Sequence, residues 1–130
     1  MLRDTFFTKI EPETDTSELE VAGLELPIDL FRSGDRLVVR APILGADLNR
    51  VSVSLGANQL TIHKADTPPL EIESDRIYLQ ECHWGELSRT IDLPFNVSPD
   101  DTRATLHDGI LTIIMPIVNP NQSKLIKIKP

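Results

Sequence analysis

At 130 residues, 40% of them hydrophobic, the chain is long enough for one domain with a buried core and short tails. Its net charge of −7, with no cluster of Lys and Arg, excludes nucleic acid as the main partner, because phosphate binding draws on grouped cations. No apolar run approaches the roughly 20 residues that a membrane span requires, the opening Met1–Phe7 is too short of apolar residues for a secretory leader, and the single cysteine, Cys82, allows no internal disulfide, so the cytoplasm is the expected location.

Residues 1–25 carry seven acids and two bases and read as a solvated, largely flexible arm. Leu2, Phe6, Phe7 and Ile10 are its apolar cluster. Exposed phenylalanines in an acidic arm would serve as adaptable contacts to apolar surface on other chains, or the arm would tuck onto its own domain. Glu18–Leu26 has a weak helical spacing of small and apolar residues.

From residue 26 to 116 the pattern changes to alternation, the signature of half-buried strands. Leu37, Val39 and Ala41 share one face and Arg36, Val38 and Arg40 the other. Val51, Val53 and Leu55 alternate with serines, Leu60 and Ile62 with Thr61 and His63, and Leu87, Ile91 and Leu93 with Ser88, Thr90 and Asp92. Leu111, Ile113 and Met115 lie in a segment apolar on both faces, which predicts a central strand. Turn residues separate these pieces: Ser33-Gly34-Asp35, Leu44-Gly45, Gly56-Ala57-Asn58, Pro68-Pro69, Ser98-Pro99 and Asp108-Gly109, the last a tight hairpin turn. The expected architecture is all-β, an immunoglobulin-like antiparallel sandwich with an aliphatic core, since aromatics make up only 5% of the chain.

A long irregular stretch, residues 65–86, interrupts the alternation. Loops of this length usually carry an element of their own or a function. Its middle, Arg76, Ile77, Tyr78, Leu79 and Gln80, is β-prone and predicts a strand that projects from the body. Such a strand must find its ladder elsewhere, and the edge of a second copy of the chain is the obvious place.

The tail, residues 117–130, carries three lysines and no acid, and places Ile126 and Ile128 on one side of an extended segment around Lys127. Docked in a groove, each isoleucine would gain roughly 1.5–3 kcal/mol against roughly 1–2 kcal/mol per residue for ordering the tail. Such a contact exchanges easily and counts through multivalency. Nine residues from Ile117 to Leu125 reach at most roughly 30 Å, enough for an adjacent subunit. Leu125–Ile128 as a last strand of the home sheet is the other reading.

Nothing in the sequence builds a catalytic or cofactor site. His63, His83 and His107 have no metal-type spacing, and Cys82-His83 points two neighbours to opposite sides of an extended chain. There is no glycine-rich phosphate loop and no nucleophile elbow. No enzyme, cofactor or metal is expected.

In order along the chain, Pro27-x-Asp29-Leu30, Arg36–Ala41, Val51-Ser52-Val53, Leu60-Thr61-Ile62, Glu81-x-x-x-Gly85-x-Leu87-x-Arg89-x-x-x-Leu93-Pro94, Ala104-x-x-x-Asp108-Gly109-Ile110-Leu111-x-Ile113-x-Met115-Pro116 and Ile126-Lys127-Ile128 resemble the α-crystallin domain of small heat-shock proteins. The long strand-bearing loop is similar to the bacterial and plant branch. Leu44 departs from the usual proline, Leu87 from the usual phenylalanine, and the arm is short. The resemblance implies an ATP-independent holdase that binds unfolding client proteins, dimerises by exchanging the loop strand, and assembles further through its tail. It favours docking of Ile126 and Ile128 into a groove between the Val51–Leu55 and Thr102–Leu106 strands, with Val51, Val53, Ala104 and Leu106 as lining. Arg89 has the parity of Leu87 and Ile91. The resemblance makes it a structural or interface arginine paired with Glu81 or another subunit's acid, the alternative being a stem lying on apolar surface. An adaptor of the CS/p23 type that binds one folded partner, or a structural shell subunit, are the rival readings of the same sandwich.

Overall fold

The computed structural model describes residues 24–120 and, as backbone, residues 5–7. Eight strands form: β1 (Thr5–Phe7), β2 (Asp29–Ser33), β3 (Arg36–Pro42), β4 (Val51–Leu55), β5 (Gln59–Lys64), β6 (Leu87–Asp92), β7 (Arg103–His107) and β8 (Ile110–Pro116), with short 3₁₀ turns at Leu48–Arg50 and Pro99–Asp101. They make two antiparallel sheets, one in the order β1-β7-β8-β3-β2 and one in the order β4-β5-β6.

The expected all-β sandwich is what the chain forms, and the alternation explains why. Leu37, Val39 and Ala41 of β3 and Leu111, Ile113 and Met115 of β8 are buried from one sheet, and Val51, Val53, Leu55, Leu60 and Ile62 from the other. Leu26, Ile43, Leu93, Val97 and Ile117, from the connections, close the same core. β8 lies between β7 and β3, as its two apolar faces predict. Leu87 and Ile91 are only half-buried, because β6 is an outer strand of the smaller sheet.

Backbone chemistry sets the turns. Asp108 and Gly109 have φ of 50° and 76°, the pair of left-handed residues that a two-residue hairpin between β7 and β8 demands. Gly34, at φ 60°, opens the two-residue link between Ser33 and Arg36. The 3₁₀ turn before β4 is capped by Asp47, whose carboxylate accepts from the Asn49 amide at 3.0 Å.

The body runs slightly beyond residues 26–116. Glu25 bridges in parallel to Ser88, and Ile117 pairs with Val97 and is buried. The Glu18–Leu26 helical spacing lies, except for its last residues, outside the described residues.

Candidate functional site

The long loop leaves the body through a tied base. The Ala65 amide donates to the Arg50 carbonyl at 2.8 Å and the Thr67 amide to that of Trp84 at 2.7 Å. The Arg50 guanidinium donates to the Asp66 carbonyl at 2.9 Å. Lys64 has the parity of Leu60 and Ile62 and is buried with them. Its ammonium is kept there by the Ala65 carbonyl and Thr67 Oγ1, both at 3.1 Å. On the returning limb, His63 Nε2 lies 3.2 Å from Glu86 Oε2 and His83 Nε2 lies 3.0 Å from the Glu86 carbonyl. Two of the scattered histidines thus meet one residue. The ladder register, which sets His63 opposite Ser88 and close to Glu86, brings them together, and local sequence pattern does not give it.

Beyond this base the loop is in solvent. Leu70, Ile72, Ile77, Tyr78 and Leu79 are each 61–87% exposed. Five large apolar side chains within ten residues form a patch of the kind that marks an interaction surface. Arg76–Gln80, expected as a strand, makes no ladder among the described residues. From Ala65 to Glu86 the loop holds six acids and one arginine, a net −5 (His neutral).

The sheet edges differ in how they are finished. The outer edge of β7 carries β1, in the register Thr5↔Leu106 and Phe7↔Ala104. The outer edge of β6 is bridged by Glu25, and the Leu26 amide donates to the Ser88 carbonyl at 3.0 Å. Among the described residues, the outer edges of β2 and β4 have no strand beside them.

The residues expected to line a tail groove belong to one strand of each sheet, β4 and β7. Val51, Val53 and Ala104 are buried members of the core, and Leu106 is half-buried against it. The Phe6–Phe7 arm, expected to be free for clients or tucked on its own domain, has its backbone paired with β7 of its own chain. The side chains of Phe6 and Phe7 lie outside the described residues, as do Ile126 and Ile128.

Arg89 is half-buried, as its parity requires. Within the chain its partner is not Glu81. Its guanidinium donates to the Leu26 carbonyl at 3.2 Å and stands 3.9 Å from the Glu25 carboxylate. The parallel bridge that brings residue 25 beside Ser88 puts this acid, 64 residues away in sequence, next to the arginine; Glu81 is in the exposed loop. Among the described residues no group of His, Cys, Asp and Glu is arranged to hold a metal ion, and no helix is long and apolar enough to cross a membrane.

Comparison with known proteins agrees with this architecture. The chain is 29% identical over 119 residues to small heat shock protein C4 of Rickettsia felis, covering 92% of this chain and 64% of that protein. It is 27% identical over 103 residues to the 18 kDa antigen 2 of Mycobacterium avium, covering 79% of this chain and 73% of the other. The solved structure of heat shock protein 16.0 from Schizosaccharomyces pombe superposes with a TM-score of 0.67 at 27% identity, over 82% of this chain and 99% of that one. A small heat-shock protein of Xylella fastidiosa shares the fold at 19% identity, with a TM-score of 0.63 over 81% of this chain and 96% of its own. A model of the Hsp20/alpha crystallin family matches residues 29–129, and the chain, with its two-sheet sandwich and interrupting loop, belongs to that family.

Proposed function

We propose that the chain is an ATP-independent holdase, a non-enzymatic protein that binds partly unfolded clients and slows their aggregation. One observation carries this reading: among the described residues the loop offers exposed apolar side chains and an unpaired β-prone segment while the body keeps two sheet edges open. A surface of that kind binds other extended, apolar polypeptide, and its net −5 keeps the product soluble.

Self-assembly follows from the same inventory. Arg76–Gln80 adds to the edge of β2 in a second copy, the open edge of the larger sheet. Each ladder hydrogen bond is worth about 0.5–1.5 kcal/mol net, so a strand exchanged in both directions holds a dimer. The tail places Ile126 and Ile128 against Val51, Val53, Ala104 and Leu106 of a neighbour, next to the open edge of β4, and links dimers. The Xylella relative is described as having a distinct high order structure, which supports assembly beyond the dimer. The cytoplasm, where clients unfold under heat, is the site of action. Arg89 serves the body rather than the dimer, holding residues 25–26 on β6.

The test is light scattering from a heat-labile protein, warmed with and without this chain and without nucleotide. Suppression at equal mass is expected; unchanged aggregation at a several-fold excess would remove the holdase reading.

A further inference from the structure

At the start of β2 the body has an open cavity of about 340 Å³, lined by Pro27, Ile28, Asp29, Arg40, Pro42 and Ile110. A cavity of about 150 Å³ already accepts a benzene ring, so this one has room for branched side chains. Its walls are apolar apart from one acid and one arginine. Arg40 and Asp29 are opposite each other in the β2–β3 ladder, yet no ion pair joins them, and Arg40 has no other side-chain partner among the described residues.

The first limb of the long loop has the complementary pattern. In Leu70-Glu71-Ile72-Glu73 two apolar residues alternate with two acids. In an extended segment this puts the isoleucine and leucine on one side and the carboxylates on the other. Leu70 and Ile72 are 82% and 78% exposed, so they are seated nowhere on their own body. Glu71 and Glu73 make no ion pair among the described residues. With Arg76–Gln80 laid parallel to β2, so that Arg76 is at the Asp29 end, the three-residue step from Glu73 to Arg76, at most roughly 10 Å, brings this limb to the cavity.

We propose that this cavity receives Leu70 and Ile72 of a second copy, with Glu71 and Glu73 of that copy against Arg40, so that charge as well as apolar contact selects the partner. The proposal rests on the loop-exchange reading above and adds to it a recognition site that the ladder alone does not supply. Asp29 opposes the incoming carboxylates and weakens the contact.

Charge reversal in the full-length chain tests it, with the dimer dissociation constant read by native mass spectrometry on dilution. Arg40→Glu and the pair Glu71→Lys/Glu73→Lys should each raise that constant about tenfold or more. Mixed together, the two variants should form a heterodimer in preference to either homodimer, because each loop then meets a face of opposite sign. Asp29→Asn should tighten the wild-type dimer. Reversals without effect, or weakened variants that do not recover on mixing, overturn the proposal. Ile77→Asp/Leu79→Asp separates the two ideas. If it dissolves the dimer while the reversals do nothing, strand exchange stands and the cavity site falls; if it leaves the dimer intact, both fall.

Discussion

The sandwich body and the loop it extrudes obey opposite rules. In the body, apolar side chains alternate with polar ones and the inward positions of the central strands are buried, as with Leu111, Ile113 and Met115, each 0% exposed. In the loop the same kinds of residue alternate, yet Ile77 and Leu79 face solvent. The difference is not composition but the presence of a neighbouring strand. A β-prone segment is stable only when its backbone groups are paired and one of its faces is covered, and among the described residues Arg76–Gln80 has neither. The body is finished by folding, the loop by meeting another polypeptide.

That contrast can be broken most forcefully from the body side. Leu111→Ala removes a fully buried side chain from the central strand and should cost about 2–5 kcal/mol, read by chemical or thermal denaturation. Retained stability would mean that the core collapses around the gap. Gly109→Ala should cost about 1–2 kcal/mol, since a Cβ at φ 76° is strained although its nearest neighbour, the Ile43 carbonyl, is 3.6 Å away. Arg89→Ala should cost no more than about 1 kcal/mol, because its acid partner is well exposed. Glu25→Ala should have a similar small effect and Glu81→Ala none; the reverse order would return Arg89 to the loop. The change Ile77→Ser/Tyr78→Ser/Leu79→Ser should also be nearly silent in the melting experiment, within about 0.5 kcal/mol of wild type. The same protein should lose mass by light scattering and protect clients poorly. A matching loss of stability would show that the loop belongs to the body after all.

Much of the body was legible because its code is local. Period-two alternation named the inward faces of β3, β4, β5 and β8, and Asp108-Gly109 named a hairpin from two residues. Local pattern does not, however, say which strand neighbours which. That is why the alternation of Leu87 and Ile91 does not show that they lie half-buried at an outer strand, and why the parity of Arg89, which leaves Glu81, another subunit's acid or an apolar surface open as its surroundings, does not point to Glu25. Lys64 illustrates the same limit. Its parity with Leu60 and Ile62 pointed inward, but only the loop base, folding back through Ala65 and Thr67, supplies the oxygens that let an ammonium stay there. The surfaces proposed for assembly were legible as candidates, because a β-prone stretch without a partner is visible in sequence; the unpaired edges of β2 and β4 emerged only with the topology.

The short ladder between Thr5–Phe7 and β7 has a consequence for traffic on that side of the molecule. A strand margin seats one guest at a time, so anything arriving along Ala104–Leu106 must first dislodge the chain's own opening residues. Three paired residues hold on by only a few net hydrogen bonds of about 1 kcal/mol each. The occupant is therefore a weak tenant, present by default and readily traded for a better one.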